Sequence, residues 1–153
     1  MAQRIALVTG GMGGLGEAIC MKLARMGIKV IVTYSPSNTK AADWLKDMAS
    51  RDYHFHACPV DVADFDSCVQ AVAKLQKEIG PIDILINNAG ITRDMLAMRL
   101  KDEDWDAVLD TNLKAVFRMS RAVMRTMMKV LDPTACTSKP MKPITNPNVS
   151  PVM

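Results

Sequence analysis

Histidine, aromatic residues, paired cysteines and a strong charge of either sign are all scarce in this chain, and each scarcity excludes a class of protein. Aromatic residues make up 5% of 153 residues, and only two histidines occur. His54 and His56 would share one face of a strand, but a histidine pair without a completed ligand set holds no metal, so none is expected. The four cysteines, Cys20, Cys58, Cys68 and Cys136, contain no C-x-x-C pair and are too sparse for a disulfide scaffold. Reduced, mostly buried thiols in a cytoplasmic protein are expected instead. With 19 Lys+Arg against 16 Asp+Glu the net charge is +3, too little to argue for nucleic acid. No apolar run reaches the roughly 18 residues of a membrane span. Met1-Ala2-Gln3-Arg4 leads directly into Ile5-Ala6-Leu7-Val8, the arrangement expected where there is no signal peptide. Hydrophobic residues at 49% and charged residues at 23% are ordinary for a globular domain and exclude disorder along the whole chain.

Glycine and proline are unevenly spread. Five of eight glycines lie between Gly10 and Gly16, none follows Gly90, and five of eight prolines follow residue 130. This divides the chain into a globular part, 1–129, and an irregular part, 130–153, whose five prolines in 24 positions read as disordered or loosely packed. The expected origin of that tail is a frameshift, a premature stop or a partial gene. A Pro-rich recognition segment around Pro140-Met141-Lys142-Pro143 is the alternative.

Within 1–129 two periodicities alternate. Ile5 to Val8 is an uninterrupted apolar run, as in a strand buried on both faces. A helix over 14–26, with Ala18, Ile19, Leu23 and Met26 inward, stops at Gly27. Strands are expected at 30–32, 54–60 and 82–86. Helices are expected at 39–50, around Trp44, Leu45 and Met48, and at 65–79, with Val69, Val72, Ala73 and Leu75 inward. Two more helices follow: 102–110 with Trp105, Val108 and Leu109 on its apolar side, and 113–129 with an apolar stripe of Leu113, Val116, Phe117, Ser120, Met124 and Met127. Strand–helix alternation with short connections argues for a parallel sheet with right-handed crossovers.

The segment Thr9-Gly10-Gly11-Met12-Gly13-Gly14-Leu15-Gly16 joins the first strand to the first helix. It satisfies G-x-G-x-x-G through Gly11, Gly13 and Gly16, and T-G-x-x-x-G-x-G through Thr9, Gly10, Gly14 and Gly16. Glycine there allows the tight turn and the close approach of a pyrophosphate, and the helix adds unpaired amides and the positive end of its dipole. After strand two the chain reads Thr33-Tyr34-Ser35-Pro36-Ser37-Asn38-Thr39-Lys40, with no carboxylate before Asp43. NAD-specific folds place an acid here for the ribose 2′-hydroxyl. Hydroxyls and one cation suit a 2′-phosphate, so NADP(H) is the expected cofactor.

The glycine loop, Asp61-Val62, Asn87-Asn88-Ala89-Gly90 and Asn112, in this order, resemble the short-chain dehydrogenase/reductase family over residues 3–129. Asn87 to Asp94 and Asp104 to Leu113 are similar to the branch that reduces 3-oxoacyl thioesters. The fold the resemblance implies is α/β, a Rossmann-like doubly wound parallel sheet with strand order 3-2-1-4, truncated after the helix following strand four. It implies that Gly10, Gly13, Gly14, Leu15 and Gly16 line the pyrophosphate loop, that Ser35 and Lys40 meet the 2′-phosphate, and that Asp61 and Val62 flank the adenine. Asn88, Ala89, Gly90, Ile91 and Thr92 would lie beneath the nicotinamide ribose, Asp94 at the substrate mouth, and Asn112 beside a water that serves the catalytic lysine. The implied reaction is NADPH-dependent reduction of acetoacetyl-CoA or a related 3-oxoacyl thioester, as in polyhydroxybutyrate synthesis, by a cytoplasmic homo-tetramer without nucleic-acid or membrane partners.

One part of that pattern is missing. The family's chemistry needs a serine and a Tyr-x-x-x-Lys pair, yet Tyr34 is followed four positions on by Asn38, and Tyr53 by Ala57. A non-catalytic nucleotide-binding module, or a chain that pairs with full-length subunits through helices 102–129, therefore stands beside the enzyme reading. Ending the sheet at strand four would also leave the apolar strand 82–86 as an unprotected edge, so a marginally stable, association-prone chain is expected.

Overall fold

A computed structural model describes residues 3–131, with side chains described to residue 128. The elements run β1 (Ile5–Val8), α1 (Gly14–Arg25), β2 (Lys29–Tyr34), α2 (Ala41–Ser50), β3 (His56–Pro59), α3 (Phe65–Glu78), β4 (Ile84–Ile86), a 3-10 turn at Ala97–Arg99, α4 (Asp102–Leu109), a π-helical turn at Asp110–Lys114 and α5 (Ala115–Leu131). The expected Pro-rich tail lies outside the described residues from 132 onward, as does Cys136.

All strand pairs are parallel, in the order β3-β2-β1-β4. That is the expected order, and the chain is a Rossmann-like α/β fold. Alternation along the strands builds two apolar layers. Ile5, Leu7 and Ile31 point to the side covered by α3 and α5, where Val72, Leu75, Met119 and Val123 pack. Val8, Val30 and Val32 point to the other side, against Cys20, Ile19, Leu23, Trp44 and Phe55. β1 is buried throughout because it has a strand on each side and a helical layer on each face. β4, at the margin, is half-buried. Among the described residues it pairs with β1 alone.

Element boundaries follow local chemistry. Gly27, at φ 77°, ends α1 in the left-handed region glycine tolerates. α3 begins where the Asp64 carboxylate accepts from the Asp66 and Ser67 amides at 3.1 and 3.2 Å. His54 precedes β3 and is not part of it, and both histidines are exposed. Among the described residues no group of three metal-ligating side chains is assembled, and no helix is long and apolar enough to cross a membrane.

The expected core positions need correction on four helices. Ala18 of α1 and Met26, which follows its last residue, face solvent, and Gly16 and Cys20 are buried instead. In α3, Val69 and Ala73 are exposed, while Cys68 and Ala71 join Val72 and Leu75 inside. Trp105 of α4 is exposed, and Val108 and Leu109 are half-buried. On α5 the buried residues are Ala115, Met119 and Val123, while Leu113 and Phe117 are each 65% exposed and Val116 and Met124 also face outward. α5 carries apolar side chains on both sides, and the sheet takes the side formed by Ala115, Met119 and Val123, so hydropathy alone points a stripe through Leu113 and Phe117 to the wrong face. Met119 and Val123, worth about 1.5–3 kcal/mol each when fully buried, fasten α5 to the sheet.

Candidate functional site

The carboxyl ends of β1, β2, β3 and β4 open into a cleft of about 390 Å³. Ligands bind at this end of open parallel sheets, where loops diverge between strands. The floor is the glycine loop. Gly10 has φ 61°, and a Cβ on it would stand 2.9 Å from Ala89 Cα. A Cβ on Gly16 would stand 2.5 Å from the Gly10 carbonyl oxygen. Both positions are closed by backbone. Gly13 and Gly14 are the reverse: a Cβ on Gly14 meets nothing within 4 Å, and on Gly13 only the Gly10 oxygen at 3.7 Å. The loop is packed tightly from below and empty above. The amides of Gly14, Leu15 and Gly16 precede the first i to i−4 bond of α1, from the Glu17 amide to Gly13 O at 2.7 Å, so they have no acceptor within the helix.

The loop and the 88–91 segment are joined through Thr9 and Asn88. The buried Thr9 hydroxyl accepts from the Asn88 and Ala89 amides at 3.0 Å each. The Asn88 side-chain amide donates to the Thr9 and Gly10 carbonyls, also at 3.0 Å each. Asn112 lies in the π turn and grips Ile91 twice: its Oδ1 accepts from the Ile91 amide at 2.8 Å and its Nδ2 donates to the Ile91 carbonyl at 2.9 Å. Asn87 is exposed and reaches the Ser120 hydroxyl only at 3.5 Å.

Charge around the loop is arranged to tolerate an anion. Glu17 sits in the first turn of α1, where its carboxylate would repel one. The Trp44 indole donates to it at 2.8 Å, and Arg51 pairs with it at 3.0 Å. The Trp44 hydrogen bond first, then the Arg51 guanidinium, hold the Glu17 carboxyl below its usual range against the opposing effect of burial. Burial pushes the Cys20 thiol beneath Gly11 up to about 12 and the Cys68 thiol beneath Asp61 and Val62 up to about 11. Neither is a nucleophile.

Most residues singled out in the sequence line the cleft: Gly10, Gly13, Gly14, Leu15 and Gly16 below, Ser35 at the end of β2, Asp61 and Val62 after β3, and Asn88, Ala89, Gly90 and Ile91 after β4. Asp61 is partly committed, since its Oδ1 accepts from the Ala63 amide at 2.9 Å. Ser35 and Ser37 share a hydrogen bond of 2.8 Å. Lys40 is not brought into the cleft. It precedes α2, and its side chain borders a separate hollow with Met12, Asn38, Asp43 and Asp47. The two acids there pair with other cations, Asp43 with Lys46 at 3.8 Å and Asp47 with Arg51 at 3.4 Å. Thr92 and Asp94, with Asn112, line a second pocket of about 300 Å³ between the 91–94 segment and α4. Thr33, Tyr34, Val60 and Thr111 also line the main cleft and were not anticipated. Each neighbours a residue that was, so extending every motif by one or two positions at the strand ends would have found them.

A family model described as short chain dehydrogenase matches residues 4–132. Acetoacetyl-CoA reductase of Cupriavidus necator is 45% identical over 124 residues, 81% of this chain and 50% of the relative. The 3-oxoacyl-[acyl-carrier-protein] reductase FabG of Escherichia coli is 46% identical over 126 residues, 82% of this chain and 50% of the relative. Among solved structures, a short-chain dehydrogenase/reductase variant of Serratia marcescens superimposes with a TM-score of 0.72 at 33% identity, over 81% of this chain and 51% of that one. The chain spans about half the length of the curated relatives it matches.

Proposed function

The chain belongs to the short chain dehydrogenase family, and on that premise we propose that its cleft binds NADP(H) for the reduction of a 3-oxoacyl thioester. The observation that carries the reading is the glycine loop: closed by backbone at Gly10 and Gly16, open at Gly13 and Gly14, with free amides at the start of α1. That cradle fits a pyrophosphate and would be filled by any larger residue at Gly14. Asn88, Ala89, Gly90 and Ile91, tied to Thr9 and Asn112, give a rigid surface for the nicotinamide ribose. Asp61 and Val62 offer the wall for the adenine. When bound, the nicotinamide supplies the hydride.

The phosphate preference rests on the end of β2. Ser35 lines the cleft, and no carboxylate occurs between it and Asp43, which is exposed and paired with Lys46 at 3.8 Å. Hydrogen bonds to a charged group are worth about 1.5–3 kcal/mol, so discrimination of about tenfold or more is expected. Lys40 contributes only by turning out of its own hollow, so Lys40→Ala separates its share from that of the hydroxyls.

The substrate reading is acetoacetyl-CoA going to (3R)-3-hydroxybutyryl-CoA, the step used in polyhydroxybutyrate synthesis. A 3-oxoacyl carrier protein of fatty-acid synthesis is the second reading, favoured equally by the similarity to FabG. A cytoplasmic location and assembly into homo-oligomers through the outer faces of α4 and α5 belong to the same proposal. Within these 153 residues no tyrosine is followed four positions on by lysine, so the residues here hold the cofactor and do not supply the proton. Titrating the purified chain with NADPH and NADH by nicotinamide fluorescence, then adding acetoacetyl-CoA, tests this. Tighter binding of NADPH without its oxidation is expected. Equal affinity for both cofactors, or steady NADPH oxidation, would contradict it.

A further inference from the structure

We propose that Arg118, on α5, is a positioning residue for the wall of the cleft formed by Asp61 and Val62. Its guanidinium, on a half-buried side chain, donates through Nη1 to the carbonyl of Ala63, 55 positions earlier in the chain. The amide of that same residue donates to Asp61 Oδ1 at 2.9 Å. The peptide group whose carbonyl takes the guanidinium donates through its own N–H, that of Asp64, to the Asp61 carbonyl at 3.1 Å. Guanidinium, peptide and the Asp61 carbonyl thus form one continuous chain that ends on a residue lining the cleft. Such chains polarise along their length, and a charged donor strengthens the first link.

The segment needs this brace. β3 ends at Pro59, and the last sheet-side bond is from the Val60 amide to the Tyr34 carbonyl at 2.9 Å. Beyond it, α3 holds the turn from one side, with the Ser67 hydroxyl accepting from the Asp61 amide at 3.1 Å. Arg118 reaches it from α5. The 88–91 wall is held by the same helical run, through the two bonds between Asn112 and Ile91. One continuous piece, the π turn with α5, therefore braces both walls of the cleft: Asn112 the ribose side and Arg118 the adenine side. No sequence pattern marks Arg118, because its role lies in a contact between segments 55 residues apart.

The inference rests on the cleft being a dinucleotide site, but its first readout needs no ligand. Amide hydrogen exchange, read by mass spectrometry on the full 153-residue chain, is compared for Arg118→Met, Arg118→Lys and Asn112→Ala. Binding of adenosine 2′,5′-bisphosphate, the adenylate end of the cofactor, is titrated in parallel. Arg118→Met is expected to speed exchange over 61–64 about tenfold, leave 88–92 protected, and weaken the bisphosphate about tenfold, a change of about 1.4 kcal/mol. Arg118→Lys, which keeps the charge and a donor, restores part of both effects. Asn112→Ala frees 88–92 and spares 61–64. Unchanged exchange over 61–64 in Arg118→Met overturns the proposal, and so does a rise spread evenly along the chain, which marks a merely structural residue. If Arg118→Met does not fold, Arg118→Gln carries the same two comparisons with the same outcomes. If the unsubstituted chain does not bind the bisphosphate, the dinucleotide reading fails, and the exchange data alone decide whether Arg118 braces the turn.

Discussion

Replacing Gly16 with alanine places a methyl carbon 2.5 Å from the Gly10 carbonyl oxygen, 2.7 Å from Gly11 Cα and 2.8 Å from Asn88 Nδ2. None of the three yields easily. Two are backbone, and the third donates to the Thr9 and Gly10 carbonyls. Relief requires α1 to slide off the loop or Asn88 to release both acceptors. Overpacking costs about 1–3 kcal/mol, and two hydrogen bonds lose about 0.5–1.5 kcal/mol each. The expected loss is therefore about 2–6 kcal/mol, a large share of a domain's roughly 5–15 kcal/mol. At about 4 °C of melting temperature per kcal/mol, Gly16→Ala should melt about 8 °C or more below the unsubstituted chain. Gly14→Ala is the counterpart. Its methyl meets nothing within 4 Å, and alanine suits a helix better than glycine, so the melting temperature should hold or rise slightly. That methyl occupies the cradle, however, and NADPH binding should weaken at least tenfold. Thermal unfolding by circular dichroism and a fluorescence titration read both quantities on both variants. Equal melting of the two would refute the close-packing account of Gly16. Undiminished NADPH binding by Gly14→Ala would remove the phosphate from this loop.

Three further outcomes follow from the same geometry. Ser35→Asp places a carboxylate at the end of β2, where it repels a 2′-phosphate and accepts from a ribose hydroxyl, so competitive titration should show the preference moving from NADPH toward NADH by about tenfold or more. Cys20, Cys58 and Cys68 are buried with raised pKa values, the first and last to about 12 and about 11. Their unfolded counterparts ionise near about 8.5, so above that pH the folded chain holds more protons than the unfolded one and stability should fall as pH rises; denaturant midpoints that stay flat above it would contradict this. Phe117→Glu breaks the outward apolar face of α5 without touching Met119 or Val123, so light scattering should show less association at micromolar concentration with an unchanged melting temperature.

The glycine loop and the strand order were legible because their residues are dictated locally. Ile5 to Val8 tolerates water on neither face, Gly10 is demanded by its own left-handed φ of 61°, and Gly16 by the backbone of Gly10 and Gly11 a few residues away. Asn88 was legible only through its motif just after β4, because its partners, the Thr9 and Gly10 carbonyls, lie 79 and 78 positions earlier. The faces of α5 were not legible, because the helix is apolar on both sides. Ala115, Met119 and Val123 face the sheet, Leu113, Val116 and Phe117 face out, and hydropathy gives no preference between them. The π turn ahead of α5, which carries Asn112, also has no signature in Asp110-Thr111-Asn112-Leu113-Lys114. The charge of Lys40 points toward a phosphate, but its position just before α2 sets it beside another hollow, which a reading of charge along the sequence does not show. Thr9 was read as one letter of a motif, and only the fold shows its hydroxyl accepting two amides from the 88–89 turn.

The central claim is that the cleft at the carboxyl ends of the strands is the dinucleotide site, and amide chemical shifts measured during an NADPH titration of the isotopically labelled chain test it most directly. Saturable shifts are expected at Gly13, Gly14, Leu15 and Gly16, at Ser35, at Asp61 and Val62, and from Asn88 to Ile91, while Ser50 and Gln70, on helix surfaces away from the cleft, stay still. Shifts centred on the hollow around Lys40 and Asp43, or none at saturating NADPH, would contradict the account.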